Sequence, residues 1–105
     1  MRFIETAVFT RVATDFLTDE EYRSLQLALL LRPGAGRVIP GSNGLRKIRW
    51  ALPGKGKRGG CRVIYFWDES SETYYMLFAY SKNDREDLTP NQLRILSQVV
   101  RQEFP

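Results

Sequence analysis

Histidine is absent from the 105-residue sequence. Catalysis by paired imidazole side chains is therefore excluded. Cysteine occurs once, as Cys61, so the chain has no internal disulfide and no cysteine pair of the kind that binds zinc. The spacing of Asp and Glu does not indicate a metal site either. The sequence therefore predicts neither a metal nor another cofactor.

Long apolar runs are also missing. The segment from Met1 to Val8 contains Arg2 and Glu5, so it has neither the apolar stretch of a signal peptide nor that of a membrane span. Hydrophobic residues make up 43% of the chain, which predicts a packed core. We expect one domain over residues 1–105, in a soluble protein of the reducing cytoplasm.

Acidic residues are missing from the middle of the chain. No Asp or Glu lies between Tyr22 and Trp67, although the formal net charge of the whole chain is only +4. Such a one-signed stretch predicts an attraction for a polyanion; the alternative is a solvated basic surface that binds nothing. The stretch contains ten basic residues: Arg23, Arg32, Arg37, Arg46, Lys47, Arg49, Lys55, Lys57, Arg58 and Arg62.

The pattern of apolar residues and turn signals predicts the element order β-α-α-β-β-β-α. This is an α+β domain, in which two N-terminal helices and a C-terminal helix pack on a small antiparallel sheet. Thr18 and Glu21 have the capping-box spacing, and Thr89-Pro90-Asn91-Gln92 predicts the start of the last helix. After an edge strand near Phe3 and Ile4, the strand candidates are Leu45–Leu52, Cys61–Trp67 and Thr73–Tyr80.

Three cations are predicted to share one face of this sheet. Side chains alternate in a strand, so Lys47 and Arg49 point to the same side. If the first two central strands form a hairpin, Arg62 lies beside them. Three cations on one face suit a phosphate; the alternative is three exposed charges on a solvated surface.

The loop between those strands has the letters of a nucleotide-binding fingerprint, with glycine at 54, 56 and 59. That fingerprint requires a helix after the loop, whereas a strand is predicted here, so it is set aside. Lys55, Lys57 and Arg58 suit contact with an RNA backbone. A charged hairpin tip without a ligand is the alternative.

Aromatic residues are dense in the last two strands. Most strand aromatics belong to a core. Tyr80 lies at a strand end beside Ser81-Lys82-Asn83, which makes it the best candidate for stacking on an RNA base.

The residue types restrict the chemistry that an RNA-cleaving site could use. Arginine keeps its proton, so its role is to stabilise charge on a transition-state phosphate. A lysine is a base only if neighbouring cations lower its pKa. Such a site should depend on a partner that positions the ribose 2′-OH for in-line attack.

Two motifs resemble a known family. The resemblance is to the RelE superfamily and most closely to its HigB-type toxins, and it is carried by the runs Gly44-Leu45-Arg46-Lys47-Ile48-Arg49 and Gly54-Lys55-Gly56-Lys57-Arg58-Gly59-Gly60-Cys61-Arg62-Val63-Ile64-Tyr65, followed by Tyr80-Ser81-Lys82-Asn83. The resemblance covers nearly the whole chain.

The resemblance implies a toxin of a type II toxin–antitoxin module. Such a toxin is a ribosome-dependent messenger-RNA endonuclease that inhibits translation by metal-independent attack of the 2′-OH. The implied partners are the ribosome, messenger RNA and a HigA-like antitoxin that binds DNA. Lys47, Arg49, Arg62 and Lys82 match catalytic positions of the family.

The chain departs from the family pattern at two places. Asn83 stands where RelE has an arginine, and Leu88 or Thr89 lies where RelE has its late tyrosine. The proton-transfer group is therefore open, with Lys55, Lys57 and Tyr80 as candidates. A non-catalytic RNA- or ribosome-binding module is the alternative function, and a domain that binds an acidic protein is a third.

Overall fold

The computed structural model describes residues 1–51 and 60–103. Within them the chain forms five strands and three helices in the order β1-α1-α2-β2-β3-β4-β5-α3. The α+β class is therefore confirmed. The element bounds are Arg2–Glu5 for β1, Ala7–Phe16 for α1, Asp19–Leu31 for α2, Arg37–Val38 for β2, Arg46–Ala51 for β3, Gly60–Asp68 for β4, Thr73–Ser81 for β5 and Pro90–Glu103 for α3.

The five strands form one mixed sheet in the order β1-β5-β4-β3-β2. The pairs β3–β4 and β4–β5 are antiparallel, as predicted, and β2, a strand that was not predicted, also pairs antiparallel with β3; β1 runs parallel to β5. A parallel pair needs a long connection, and here most of the chain separates the two strands. The predicted small antiparallel sheet is therefore mixed at this edge.

Helices cover both faces of the sheet. On one face, α1 and α2 bury Phe9, Leu25 and Leu29 against a core that includes Val63 and Tyr65. On the other face, α3 packs through partly buried leucines and valines onto a second core. That second core consists of Leu45, Ile64, Leu77, Tyr80 and Val100. The sheet is thus a middle layer, and the α3 face also carries the side chains of the candidate site.

The predicted helix starts are formed by the predicted caps. Thr18 Oγ1 accepts a hydrogen bond from the backbone N–H of Glu21, and the Glu21 carboxylate accepts from the N–H of Thr18. Thr89 and Gln92 make the same reciprocal pair before α3. Caps of this kind satisfy amides that the helix itself leaves unpaired. The second cap fixes where the segment after β5 enters α3.

A buried tyrosine holds the segment between α2 and β2. The Tyr65 hydroxyl donates to the carbonyl of Pro33 at 2.8 Å and accepts from the N–H of Gly36 at 2.9 Å. A Cβ atom at Gly36 would lie 2.7 Å from the Tyr65 ring. Glycine is therefore required here by close approach, and the contact sets the start of β2 beside β3.

None of the helices within residues 1–51 and 60–103 combines the length and the apolar character needed to span a bilayer.

Candidate active site

The sheet register brings the predicted cations together. Arg49 lies directly opposite Arg62 in the β3–β4 pair, and Lys47 lies two residues from Arg49 on the same face. The prediction that these three side chains share a face is confirmed. We refer to Lys47, Arg49 and Arg62 as the cation cluster. Arg37 of β2 pairs with Lys47 and adds a fourth cation at the edge of this face.

One carboxylate joins all members of the cation cluster. Arg62 donates from Nε and Nη2 to the two oxygens of Glu86, at 2.7 and 2.9 Å. Lys47 Nζ lies 3.3 Å from Glu86 Oε2, and Arg49 Nη2 lies 3.4 Å from Oε1. Lys47 also contacts the carboxylate of Asp87. The paired Arg62 bonds are the geometry with which guanidinium groups bind carboxylates and phosphates.

Exposure differs sharply among these side chains. The side chains of Lys47 and Arg62 are 13% and 11% exposed, whereas that of Arg49 is 62% exposed. Glu86 is about half exposed and Asp87 mostly exposed. The cation cluster therefore has a sheltered pair at its base and an open side toward solvent. Ligands can reach it from that side.

The charges shift the proton affinities of the groups around them. Hydrogen bonding from Arg62 lowers the pKa of Glu86 to about 2, with Lys47 contributing. The same hydrogen bond raises the pKa of Arg62. Burial, with the nearby Asp87 and Glu86 carboxylates, raises the pKa of Tyr80 to about 12. At neutral pH the carboxylate is ionised, and the tyrosine is a hydrogen-bond donor rather than a base.

An open cleft of about 410 Å³ lies beside the cation cluster. It is bounded by Arg37, Lys47, Arg49, Glu86 and Asp87, with Ala35 and Ile48 beneath. The cations Arg37, Lys47 and Arg49 lie on paired strands, whereas Glu86 and Asp87 lie on the segment between β5 and α3.

The comparison with known families decides the relationship. The sequence matches the family described as the RelE toxin of the RelE/RelB toxin–antitoxin system over residues 1–104. The chain belongs to the RelE toxin family. Toxin function within a toxin–antitoxin system, with an antitoxin as partner, follows from that membership.

Tyr80 of this RelE-family toxin is buried rather than displayed. The residue is 5% exposed and packs in the core beneath α3, and its hydroxyl donates to the backbone carbonyl of Glu86 at 3.0 Å. A buried ring offers no free face to a base. The contact makes Tyr80 an anchor for the segment that carries Glu86.

The other predicted site residues are placed differently. Lys82 follows β5, where its N–H donates to the carbonyl of Gly60 and its side chain packs over that glycine. Gly60 and Arg62 share a face of β4, so this packing puts the Lys82 side chain on the face that carries Arg62. Asn83 is exposed in the turn that follows. Lys55, Lys57 and Arg58 lie outside the described residues.

Sequence reasoning missed three members of the site. Arg37 was counted among the basic residues but was not assigned to the site, because a two-residue strand leaves almost no pattern. Glu86 and Asp87 were not assigned to the site. For Glu86 and Asp87 a signal was available, since both are acidic residues shortly before a strong N-cap at Thr89.

No group of three His, Cys, Asp or Glu able to hold a metal occurs in residues 1–51 and 60–103.

Taken together, the described side chains can bind a singly charged, two-oxygen anion. Two sheltered cations hold it from below and Arg49 approaches from the solvent side. A phosphodiester also has a single negative charge, and its two non-bridging oxygens correspond to the two oxygens of a carboxylate. In the structure Glu86 fills the position.

Proposed function

We propose that this RelE-family toxin is a ribosome-dependent messenger-RNA endonuclease of the HigB type. The single observation that carries the proposal is the convergence of Lys47, Arg49 and Arg62 on one two-oxygen anion position. RNA presents such an anion at every linkage. The acid-free stretch between Tyr22 and Trp67 supports the proposal, because it gives the surface around the position a field that attracts RNA.

The reaction follows from what these groups can do. The 2′-oxygen of one nucleotide attacks the adjacent phosphorus, the bond from phosphorus to the 5′-oxygen breaks, and the products carry a 2′,3′-cyclic phosphate and a 5′-hydroxyl. The 2′-OH loses a proton and the leaving 5′-oxygen gains one. Negative charge develops on the non-bridging oxygens of the phosphate in the transition state, where Arg62 and Lys47 stabilise it. Lys82, on the same face, is the further cation proposed to act at this site.

Dependence on the ribosome has a physical reason. The cation cluster supplies charge, but in-line attack also needs the 2′-oxygen, the phosphorus and the leaving oxygen to be aligned. Messenger RNA held in the decoding site provides that alignment. Lys55, Lys57, Arg58 and Asn83 are proposed to contact the RNA or ribosome backbone. The antitoxin is proposed to be HigA-like and DNA-binding, and the toxin to act in the cytoplasm.

A non-catalytic ribosome-binding module is the second candidate. It is favoured by the proton affinities at the site, since the pKa of Glu86 is lowered to about 2 and that of Tyr80 is raised to about 12. Neither group exchanges a proton readily near neutral pH in the free protein. This candidate predicts binding without strand scission.

Purified protein, programmed ribosomes and a defined messenger RNA separate the two candidates. The endonuclease predicts fragments with 2′,3′-cyclic phosphate ends, formed with ribosomes and not with the free messenger RNA. Arg62→Ala should abolish cleavage while the protein keeps its thermal unfolding transition. Ribosome binding by the wild type without any fragment would refute the endonuclease and favour the binding module.

A further inference from the structure

The carboxylate of Glu86 occupies the place where a substrate phosphate would bind. Arg62 grips its two oxygens through two parallel hydrogen bonds, and Lys47 and Arg49 approach the same two oxygens. A carboxylate and a phosphodiester each carry one negative charge and each present a pair of hydrogen-bond acceptors, which in the phosphodiester are the non-bridging oxygens. The two groups cannot occupy this position at once.

We propose that Glu86 is a displaceable internal counter-ion: it fills the phosphate position in the free protein, and the RNA phosphodiester enters by displacing its carboxylate from Arg62. This inference rests on the proposed function, because it assumes that the cation cluster binds an RNA phosphate. It adds a competition between the protein's own anion and the substrate's.

An anion beside Arg62 stabilises the free protein. Arg62 is almost buried, with 11% of its side chain exposed, and it faces Arg49 across the sheet. A sheltered cation without a partner is costly, and two neighbouring cations repel. Glu86 supplies the missing charge. Exchange of one singly charged anion for another leaves that balance unchanged, so entry of the phosphate does not require an unpaired charge to be buried.

The carboxylate of Glu86 can leave without unfolding its segment. Residues 82–89 connect β5 to α3 outside any helix or strand, and the Glu86 side chain is about half exposed. Its backbone is held separately, since its carbonyl accepts from the Tyr80 hydroxyl at 3.0 Å and from Lys47 Nζ at 3.2 Å. Rotation about the side-chain bonds therefore frees the phosphate position while the segment stays in place.

The test measures binding of an RNA that cannot be cleaved. The probe is a fluorescein-labelled 2′-O-methyl oligouridylate, and the readout is fluorescence anisotropy at fixed low salt. Glu86→Gln keeps an oxygen that can accept from Arg62 but removes the competing charge, so we expect binding about tenfold tighter than wild type. The matched control is Glu69→Gln, an equal charge change in the exposed turn between β4 and β5, which should bind within about twofold of wild type.

A second variant and a double variant serve as controls for folding and for dependence on Arg62. Glu86→Ala should also bind more tightly, which covers the case in which the glutamine variant fails to fold. In an Arg62→Ala background, Glu86→Gln should give a smaller gain than in the wild-type background, because the guanidinium that holds both carboxylate oxygens is gone. The thermal unfolding transition of each variant establishes that it is folded.

Proton uptake gives an independent readout. The pKa of Glu86 is about 2 when Arg62 holds it, against an ordinary value of 4.5. Displacement at pH 4.5 therefore leaves the freed carboxylate about half protonated, and binding should take up roughly half a proton. Calorimetry in buffers of different ionisation enthalpy measures this uptake. Uracil does not titrate near this pH. We expect the proton uptake to disappear in Glu86→Gln, which still contains Asp87, the other carboxylate at the cation cluster.

The outcomes distinguish the two proposals. If Arg62→Ala weakens probe binding but Glu86→Gln binds no more tightly than Glu69→Gln, the displacement is refuted while the phosphate site stands. Weaker binding by Glu86→Gln also refutes it, because Glu86 then helps to hold the RNA. If no variant binds the probe, both the displacement and the phosphate site are refuted.

Discussion

Replacement of Arg62 by lysine keeps the charge of the cation cluster but removes the bidentate hydrogen bonding of the guanidinium group. The guanidinium donates two hydrogen bonds, at 2.7 and 2.9 Å, to the two oxygens of one anion. An ammonium group donates from a single atom and cannot reproduce that pair. The loss of one charge-assisted hydrogen bond costs about 1.5–3 kcal/mol. If the bond is made to the transition-state phosphate, cleavage slows by roughly 10- to 150-fold.

The assay is single-turnover cleavage of a codon held in the decoding site of programmed ribosomes. Arg49→Lys is the matched control, because Arg49 belongs to the same cation cluster but is 62% exposed and makes one contact at 3.4 Å. An exposed contact contributes little, so we expect its rate to fall by no more than about threefold. A rate for Arg62→Lys within threefold of wild type, or a larger loss for Arg49→Lys, would refute the assignment of Arg62 as the principal phosphate ligand.

Three further predictions concern stability. The lowered pKa of Glu86 means that its ion pairs stabilise the fold above pH 4.5 and that this contribution is lost as pH falls toward about 2; thermal unfolding should show wild type and Glu86→Gln converging on acidification, and an unchanged difference would contradict this. Tyr65→Phe should cost about 1–3 kcal/mol in urea unfolding, because the N–H of Gly36 loses its buried acceptor; a neutral effect would argue against that hydrogen bond. Thr89→Ala should cost about 1 kcal/mol through loss of the α3 cap, and no loss would place the start of α3 elsewhere.

Local patterns predicted the parts of the fold that depend on neighbouring residues. The capping pairs of Thr18 and Thr89 lie within four residues, so their chemistry is visible in the sequence. The shared face of Lys47 and Arg49 follows from strand alternation, and one hairpin adds Arg62. Each step needed only a short range of chain.

Contacts between distant residues could not be predicted in the same way. Glu86 meets Arg62 across 24 residues and Lys47 across 39, from a segment without a regular period. The parallel pairing of β1 with β5 joins distant residues, such as Arg2 and Thr73, and no local signal fixes its direction. Tyr80 was expected to face RNA because of its position at a strand end, whereas the core beneath α3 buries its ring.

The central claim is that the cation cluster of this RelE-family toxin cuts messenger RNA. It is tested most directly by inducible expression of wild type, Arg62→Ala and Arg23→Ala, with mapping of messenger-RNA 5′ ends. Arg23 is an exposed arginine of α2, which covers the opposite face of the sheet, so its removal matches the charge change away from the site. We predict growth arrest and new 5′ ends inside coding sequences for wild type and Arg23→Ala, and neither for Arg62→Ala. New ends from Arg62→Ala at the wild-type level, or arrest by the wild type without new ends, would contradict the claim.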